Sequence, residues 1–296
     1  MNPHLDELVA LHTLERIEEN LFRGQSQDLG WGTVFGGQVL GQALSAAWRT
    51  IPEDRAVHSL HAYFLRPGDV RAPIVYDVDR IRDGGSFTTR RVVAIQAGRP
   101  IFNLAASFQQ LEAGFEHQDA MPEVPPPEAL PTEAERLARY GERLPRLLRQ
   151  RADGGSPFEH RLVVAPDWDQ TLDDLVAPPS KPPYRSVWFR AAGALSDAAW
   201  LHAALLAYAS DFMFLGTSLL PHGVTWLTPG MQVASIDHVM WYHQPARVDD
   251  WLLYSMDSPA AHGARGLVRG RIFTRQGALV ATVAQEGLIR RRPPPG

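Results

Sequence analysis

Two stretches of this chain repeat each other about 178 residues apart. Pro67 in FLRPGD and Pro245 in YHQPAR keep that spacing, as do Tyr76 and Tyr254, and Gly85 and Gly263; Gly98 and Gly277 are 179 apart. An aromatic pair precedes each proline, Tyr63-Phe64 and then Trp241-Tyr242. Self-similarity at a fixed spacing is the mark of duplicated structure, and here it implies two copies of one unit. Between them, from Glu112 to Pro183, runs a Pro-rich middle (PEVPPPEALP, VAPPSKPP) around a short helix-like run from Glu133 to Arg151. Such breaks mark linkers. The expected organisation is a first domain over 1–115, a connecting segment over 116–183 and a second domain over 184–296.

Each half reads as one helix followed by an antiparallel meander. In the first, Val39, Leu40, Ala43, Leu44 and Ala47 form a helical stripe that opens on Gly36-Gly37, where backbone can approach a ligand closely. Alternation and turn residues predict strands over 57–66, 73–82, 86–97 and 100–110. In the second half a helix is expected near 198–215, then strands near 231–243, 251–258, 264–274 and 278–290. Strands that follow a helix in a run argue for an α+β fold, with a sheet wrapped around a helix.

Composition narrows the chemistry. The 296 residues contain no cysteine, which excludes disulfides, thiolate metal sites and a Cys nucleophile. A net charge of −4 argues against nucleic acid as the main partner. An anionic substrate must therefore meet local arginines. The acidic start MNPHLDELVA is unlike a secretory leader, no run is expected to reach the ~18 apolar residues of a membrane span, and RRRPPPG is no peroxisomal address. A cytoplasmic protein is the expectation.

Common catalytic motifs are missing: there is no G-x-S-x-G elbow, no H-E-x-x-H and no P-loop. Gly30-Trp31-Gly32 misses the dinucleotide fingerprint. His58 and His61 fall on opposite faces of a strand, which is poor metal geometry, and Asp237 and His238 are adjacent and diverge. Asp237 reads as structural. Three polar residues on apolar faces stand out instead. Asp211 falls inside the stripe Leu201, Ala204, Leu205, Tyr208 and Phe212. Gln285 shares a strand face with Leu279, Ala281 and Val283, and Ser235 opens the alternating strand SIDHVMWYH. Each has a bland reading as a satisfied structural hydrogen bond. Together an Asp, a Gln and a hydroxyl can hold a water and stabilise developing oxyanion charge, which fits direct hydrolysis of an activated acyl group.

Long, dispersed strings carry a resemblance. RGQSQDLGWGTVFGGQVLGQAL (23–44), SLHAYFLRPGD (59–69), DGGSFTTRRVVAIQ (83–96), AYASDFMFL (207–215), SIDHVMWYH (235–243) and ARGLVRGRIFTRQGALVATVAQEG (264–287) resemble the acyl-CoA thioesterase II family over about residues 14–290. The resemblance implies a tandem (double) hotdog, each half a long antiparallel sheet wrapped around a central helix. It implies hydrolysis of fatty acyl-CoA, of medium to long chain, to free acid and CoA, with no metal or redox cofactor. The family's Asp, hydroxyl and Gln fall on Asp211, Ser235 and Gln285; many relatives have Thr at the middle position. The thioester carbonyl is expected at the helix start, Gly36-Gly37. Phe35, Trp241 and Tyr242 are candidates to line an acyl tunnel, and equally candidates for plain core. Arg90, Arg91, Arg265 and Arg269 are candidates for the CoA phosphates. The resemblance also favours a homo-oligomer. A hotdog-type enoyl-CoA hydratase and a non-catalytic acyl-CoA-binding protein are the alternatives, and release of free thiol separates them.

Overall fold

The computed structural model describes residues 2–138, 140, 155–163 and 173–292. A helix α1 (Pro3–His12) and two short strands, β1 (Glu15–Glu18) and β2 (Leu21–Gly24), lead into helix α2 (Gly36–Trp48). Four long strands follow: β3 (Arg55–Phe64), β4 (Ile74–Asp83), β5 (Phe87–Gln96) and β6 (Arg99–Gln110). The second half has β7 (Phe158–Val163), β8 (Tyr184–Ala191) and helix α4 (Ala199–Ser210), with the short helix α3 (Glu133–Ala138) before them. It ends with β9 (Met231–Ser235), β10 (Asp237–Tyr242), β11 (Leu252–His262), β12 (Arg265–Thr274) and β13 (Leu279–Arg291). The rest of the helix-like run that ends at Arg151 lies outside the described residues.

All thirteen described strands belong to one antiparallel sheet, in the order β1-β2-β4-β5-β6-β3-β10-β13-β12-β11-β8-β7, with β9 on β13. The join between halves is β3 against β10, from Asp237 opposite Tyr63 to Trp241 opposite Ser59. Each half thus covers the other's open strand edge. Three of the four strands expected in each half form a meander, β4-β5-β6 and β11-β12-β13, but the first of each four, β3 or β10, crosses over to pair with the last and not with its sequence neighbour. The hairpin from β5 to β6 turns on Ala97 and Gly98, with φ of 48° and 71°, the left-handed pair that a two-residue loop requires.

The sheet encloses α2 and α4, and the hotdog fold inferred from the sequence is the fold of this chain. Every residue of α2 from Gly37 to Ala47 is buried. In α4 the apolar character runs all round, as in a helix that meets protein on every side. The two helices are antiparallel and very close. A Cβ on Gly37 would stand 2.4 Å from the Tyr208 carbonyl oxygen, and one on Gly41 2.8 Å from that of Ala204. Glycine four residues apart is what lets the backbones meet. Tyr76 and Tyr254, equivalent in the repeat, each anchor a helix: Tyr76 donates to Gln42 Oε1 (2.6 Å) and Tyr254 to the Ser210 carbonyl (2.9 Å).

Several expectations need correction. The strand expected over 231–243 is two strands separated at Ile236, where a bulge shifts the pairing with β13 by one residue. Strands β7 and β8, ahead of α4, have no counterpart in the expected helix-then-meander order, and β7 lies within the Pro-rich middle. The helix expected near 198–215 stops at Ser210. Finally, Ala199–His222 is long and apolar enough to cross a membrane by length and composition, against the expectation that no run is. Here it is core: α4, a break at Asp211, and a 3-10 segment Leu215–His222, mostly buried inside the protein.

Candidate active site

Asp211 is the residue at which α4 stops. Its φ of −84° still follows the helix, but Met213 turns left-handed at φ 60° and the chain leaves. Because α2 and α4 are antiparallel, the end of α4 lies against the start of α2. The Gly37 N–H donates to the Asp211 carboxylate there. A Cβ on Gly36 would lie 2.7 Å from Asp211 Oδ2 and 2.9 Å from the Phe64 ring, so only glycine admits the carboxylate. Phe35, at the N-cap, offers no side-chain cap. The backbone amides at the start of α2 and the positive end of its dipole therefore favour negative charge at this point.

Gln285 completes the arrangement from β13. Strand alternation turns it inward, and it is 1% exposed. Its amide nitrogen donates to Asp211 Oδ1 (3.0 Å) and to Ser235 Oγ. Ser235 in turn bonds the Asp211 carboxylate, and with both amide hydrogens of Gln285 spent, its hydroxyl is the donor of that contact. The bulge at Ile236 matters here. Ser235 and His238 are three apart, a spacing that an unbroken strand sends to opposite faces. The extra residue puts both on the inner face beside Gln285. The structure thus brings together the three polar residues singled out in the sequence.

Burial pushes the Asp211 carboxyl up to about 6, against the opposing pull of hydrogen bonds from Gln285, Gly37 and Ser235. It is ionised at neutral pH yet close to taking a proton, the range that suits a general base. Burial takes the neighbouring His238 down to about 4, which leaves it neutral. Asp237 points the other way and accepts the Glu286 N–H (2.6 Å), the structural role expected of it. Among the described residues, no group of three or more His, Asp or Glu side chains comes together as a metal site would need. His58 bonds Ser107 Oγ (2.8 Å), and His61 is exposed with its ring edge to Trp241.

The other candidates separate. Phe35 is buried at the site, 4.5 Å from Phe212 and 5.2 Å from Tyr208 between ring centroids. Trp31 packs edge-on to Phe35 and, more loosely, to Trp226. Trp241 is on the outer face of the sheet, more than a third exposed, and lines nothing inside. Tyr242 faces inward, but its hydroxyl meets the Ala203 carbonyl (3.2 Å), eight residues of α4, or roughly 12 Å, before Asp211. Arg90 is no surface cation. It is 1% exposed, and its guanidinium bonds Thr50 Oγ1 and the Thr50 carbonyl, at the end of α2, together with Asp83 and the Arg82 and Thr89 carbonyls. Arg91, Arg265 and Arg269 are on the outer face, paired with Asp79, Glu286 and Asp257. Sequence reasoning missed Trp31, Phe212 and Trp226 as neighbours of the site, and it weighed His238 only as a partner of Asp237. The repeat held a signal for His238: Leu60, 178 residues earlier, occupies its place.

Known proteins resemble this chain along most of its length. Two family models match: an acyl-CoA thioesterase N-terminal domain over residues 26–109, and an acyl-CoA thioesterase over 178–288. The acyl-CoA thioesterase 2 of Haemophilus influenzae is 43% identical, over 98% of this chain and 99% of its own length. This chain belongs to the acyl-CoA thioesterase II family. Human acyl-coenzyme A thioesterase 8 is 42% identical over 95% of this chain and 88% of its own. Among solved structures, an acyl-CoA thioesterase II from Mycobacterium marinum is 41% identical with a TM-score of 0.77, over 96% of this chain and 98% of the other. This acyl-CoA thioesterase is accordingly a thioester hydrolase, and it is built as the fold of its relatives requires.

Proposed function

We propose that Asp211, Ser235 and Gln285 hold and activate a water that attacks the acyl carbon of a medium- to long-chain fatty acyl-CoA directly. The observation that carries this reading is the Gln285 amide, which bridges Asp211 and Ser235 beside the start of α2. Asp211 takes a proton from the water as its oxygen bonds to the acyl carbon. The electron pair of the C=O moves onto oxygen, where the positive end of the α2 dipole stabilises the charge. Collapse breaks the C–S bond, and the proton on Asp211 passes to the sulfur. A thiol with a pKa near 8.5 leaves readily, so the step needs no metal and no covalent nucleophile. The Phe35, Tyr208 and Phe212 rings beside Asp211 suit an aliphatic chain.

The test is thiol release from acyl-CoAs of graded length, with Asp211→Asn alongside. The chain has no cysteine and adds no thiol background. Turnover should fall by about 10²–10⁴-fold in the variant. In the wild type, kcat/KM should fall as pH drops below about 6, because the base is then protonated. Undiminished turnover by the variant removes Asp211 from the reaction. Hydration of an enoyl-CoA without thiol release moves the assignment to a hydratase.

A further inference from the structure

His238 sits under the site with its ring fully enclosed, beside Gln285. The register that sets Val239 opposite Ala284 continues to set His238 opposite Gln285, on the same inner face. On one side the imidazole is tied: Nε2 is 2.9 Å from Ser210 Oγ. On the other, His238 Nδ1 and Gln285 Oε1 are both buried and neither has a hydrogen-bond partner, although the two side chains are close enough to interact. Two unsatisfied buried atoms on neighbouring side chains pose a question of proton placement.

The hydrogen bonds around them answer it. Both hydrogens of the Gln285 amide are spent on Asp211 and Ser235, so Oε1 can only accept. Ser210 has one hydroxyl proton and two candidate acceptors, the Ala207 carbonyl (2.8 Å) and His238 Nε2. Given to Ala207, it forces the imidazole proton onto Nε2 and leaves Nδ1 and Oε1 as two neighbouring, unpaired acceptors. Given to Nε2, it leaves the ring proton on Nδ1, on the side of the ring that is free to serve Gln285. Backbone carbonyls tolerate loss of one bond better than buried side-chain acceptors tolerate loss of all.

We propose that His238 is a positioning residue: neutral and protonated on Nδ1, it holds Gln285 Oε1 and so fixes the amide with its nitrogen toward Asp211 and Ser235. Without it, the amide is free to rotate and present oxygen to a carboxylate. This rests on the proposed role of Gln285 in hydrolysis, and it extends the site by two residues, to the relay Ser210, His238, Gln285.

The tautomer is read directly from ¹⁵N-detected imidazole spectra of the wild-type enzyme, with the His238 signal assigned by its loss in His238→Asn. The Nδ1–H form is expected; the Nε2–H form overturns the proposal. Kinetics give a second reading. His238→Leu should lower kcat roughly 10- to 100-fold, with KM little moved. His238→Asn, whose amide nitrogen occupies the place of Nδ1, should recover most of that loss. Equal losses in the two variants overturn the proposal. In a Gln285→Ala background His238→Leu should cost almost nothing more, since its effect runs through Gln285; a full additional loss points to a structural role. Folding of each variant is checked by its thermal melt. Wild-type turnover in Asp211→Asn would sink the hydrolytic reading while leaving the tautomer result intact, so the two failures are distinct.

Discussion

The two halves share a scaffold and differ in what they place beneath the central helix. In the first, Leu60 on β3 faces Ala106 on β6 across the strand pair. In the second, 178 and 179 residues on, the same two places hold His238 and Gln285. The residues that end the helices differ as well. Arg49 caps α2 and bonds the Leu14 carbonyl, a cation at a helix C-terminus, where the dipole favours it. Asp211 caps α4, where its own helix disfavours it, and is held instead by the start of α2. At the places of Leu60 and Ala106 the first half is apolar, and the second puts a polar pair there. To the polar set itself the first half supplies backbone, Gly36 and Gly37, with the Phe35 ring packed beside it.

Putting first-half residues into the second half should remove the chemistry and leave the fold. Gln285→Ala copies Ala106 and should cut kcat by about 10²–10³, as loss of a single preorganised donor does, with a near-native melting curve. Retention of most activity would place the polar set outside the reaction. The reciprocal change sharpens the contrast. Leu60→His puts an imidazole opposite Ala106 in place of a fully buried leucine, and should destabilise the protein by about 1–3 kcal/mol in urea titration. A neutral effect would show that the first half tolerates a polar pair as readily as the second.

The smallest effect concerns the cost of the site. Asp211 binds its proton more tightly folded than unfolded, since burial raises it from 3.8 to about 6. Folded-state stability is therefore fullest below that window and declines as pH rises through it. Asp211→Asn, which cannot ionise, should be more stable than the wild type by roughly 1–2 kcal/mol above pH 6, with the gap closing near pH 4. An inactive variant that melts higher at pH 8 than at pH 4, relative to wild type, is the expected signature.

Much of this was legible in the sequence. The repeat gave the two-unit organisation, and alternation placed Gln285 inside. Alternation also splits two of the candidate pairs. Trp241-Tyr242 and Arg90-Arg91 are adjacent on strands, so one of each pair must face away. Trp241 and Arg91 face out, and Arg90, inward, serves α2. What the sequence hid depends on backbone irregularity. Nothing in SIDHVMWYH marks the bulge at Ile236 that turns Ser235 and His238 to one face. Nor does a helical stripe show that α4 ends just before Asp211. Strand β7 was obscured by its Pro-rich surroundings.

The covalent join between the halves has a consequence for symmetry. Two identical subunits packed by these helices would carry matching residues at both helix ends, and any change at one site would appear at the other. A single chain is under no such constraint. Each copy can drift alone, so one keeps the polar residues and the other keeps glycines where the helix begins. A duplicated chain can thus own one asymmetric site where a symmetric pair must own two.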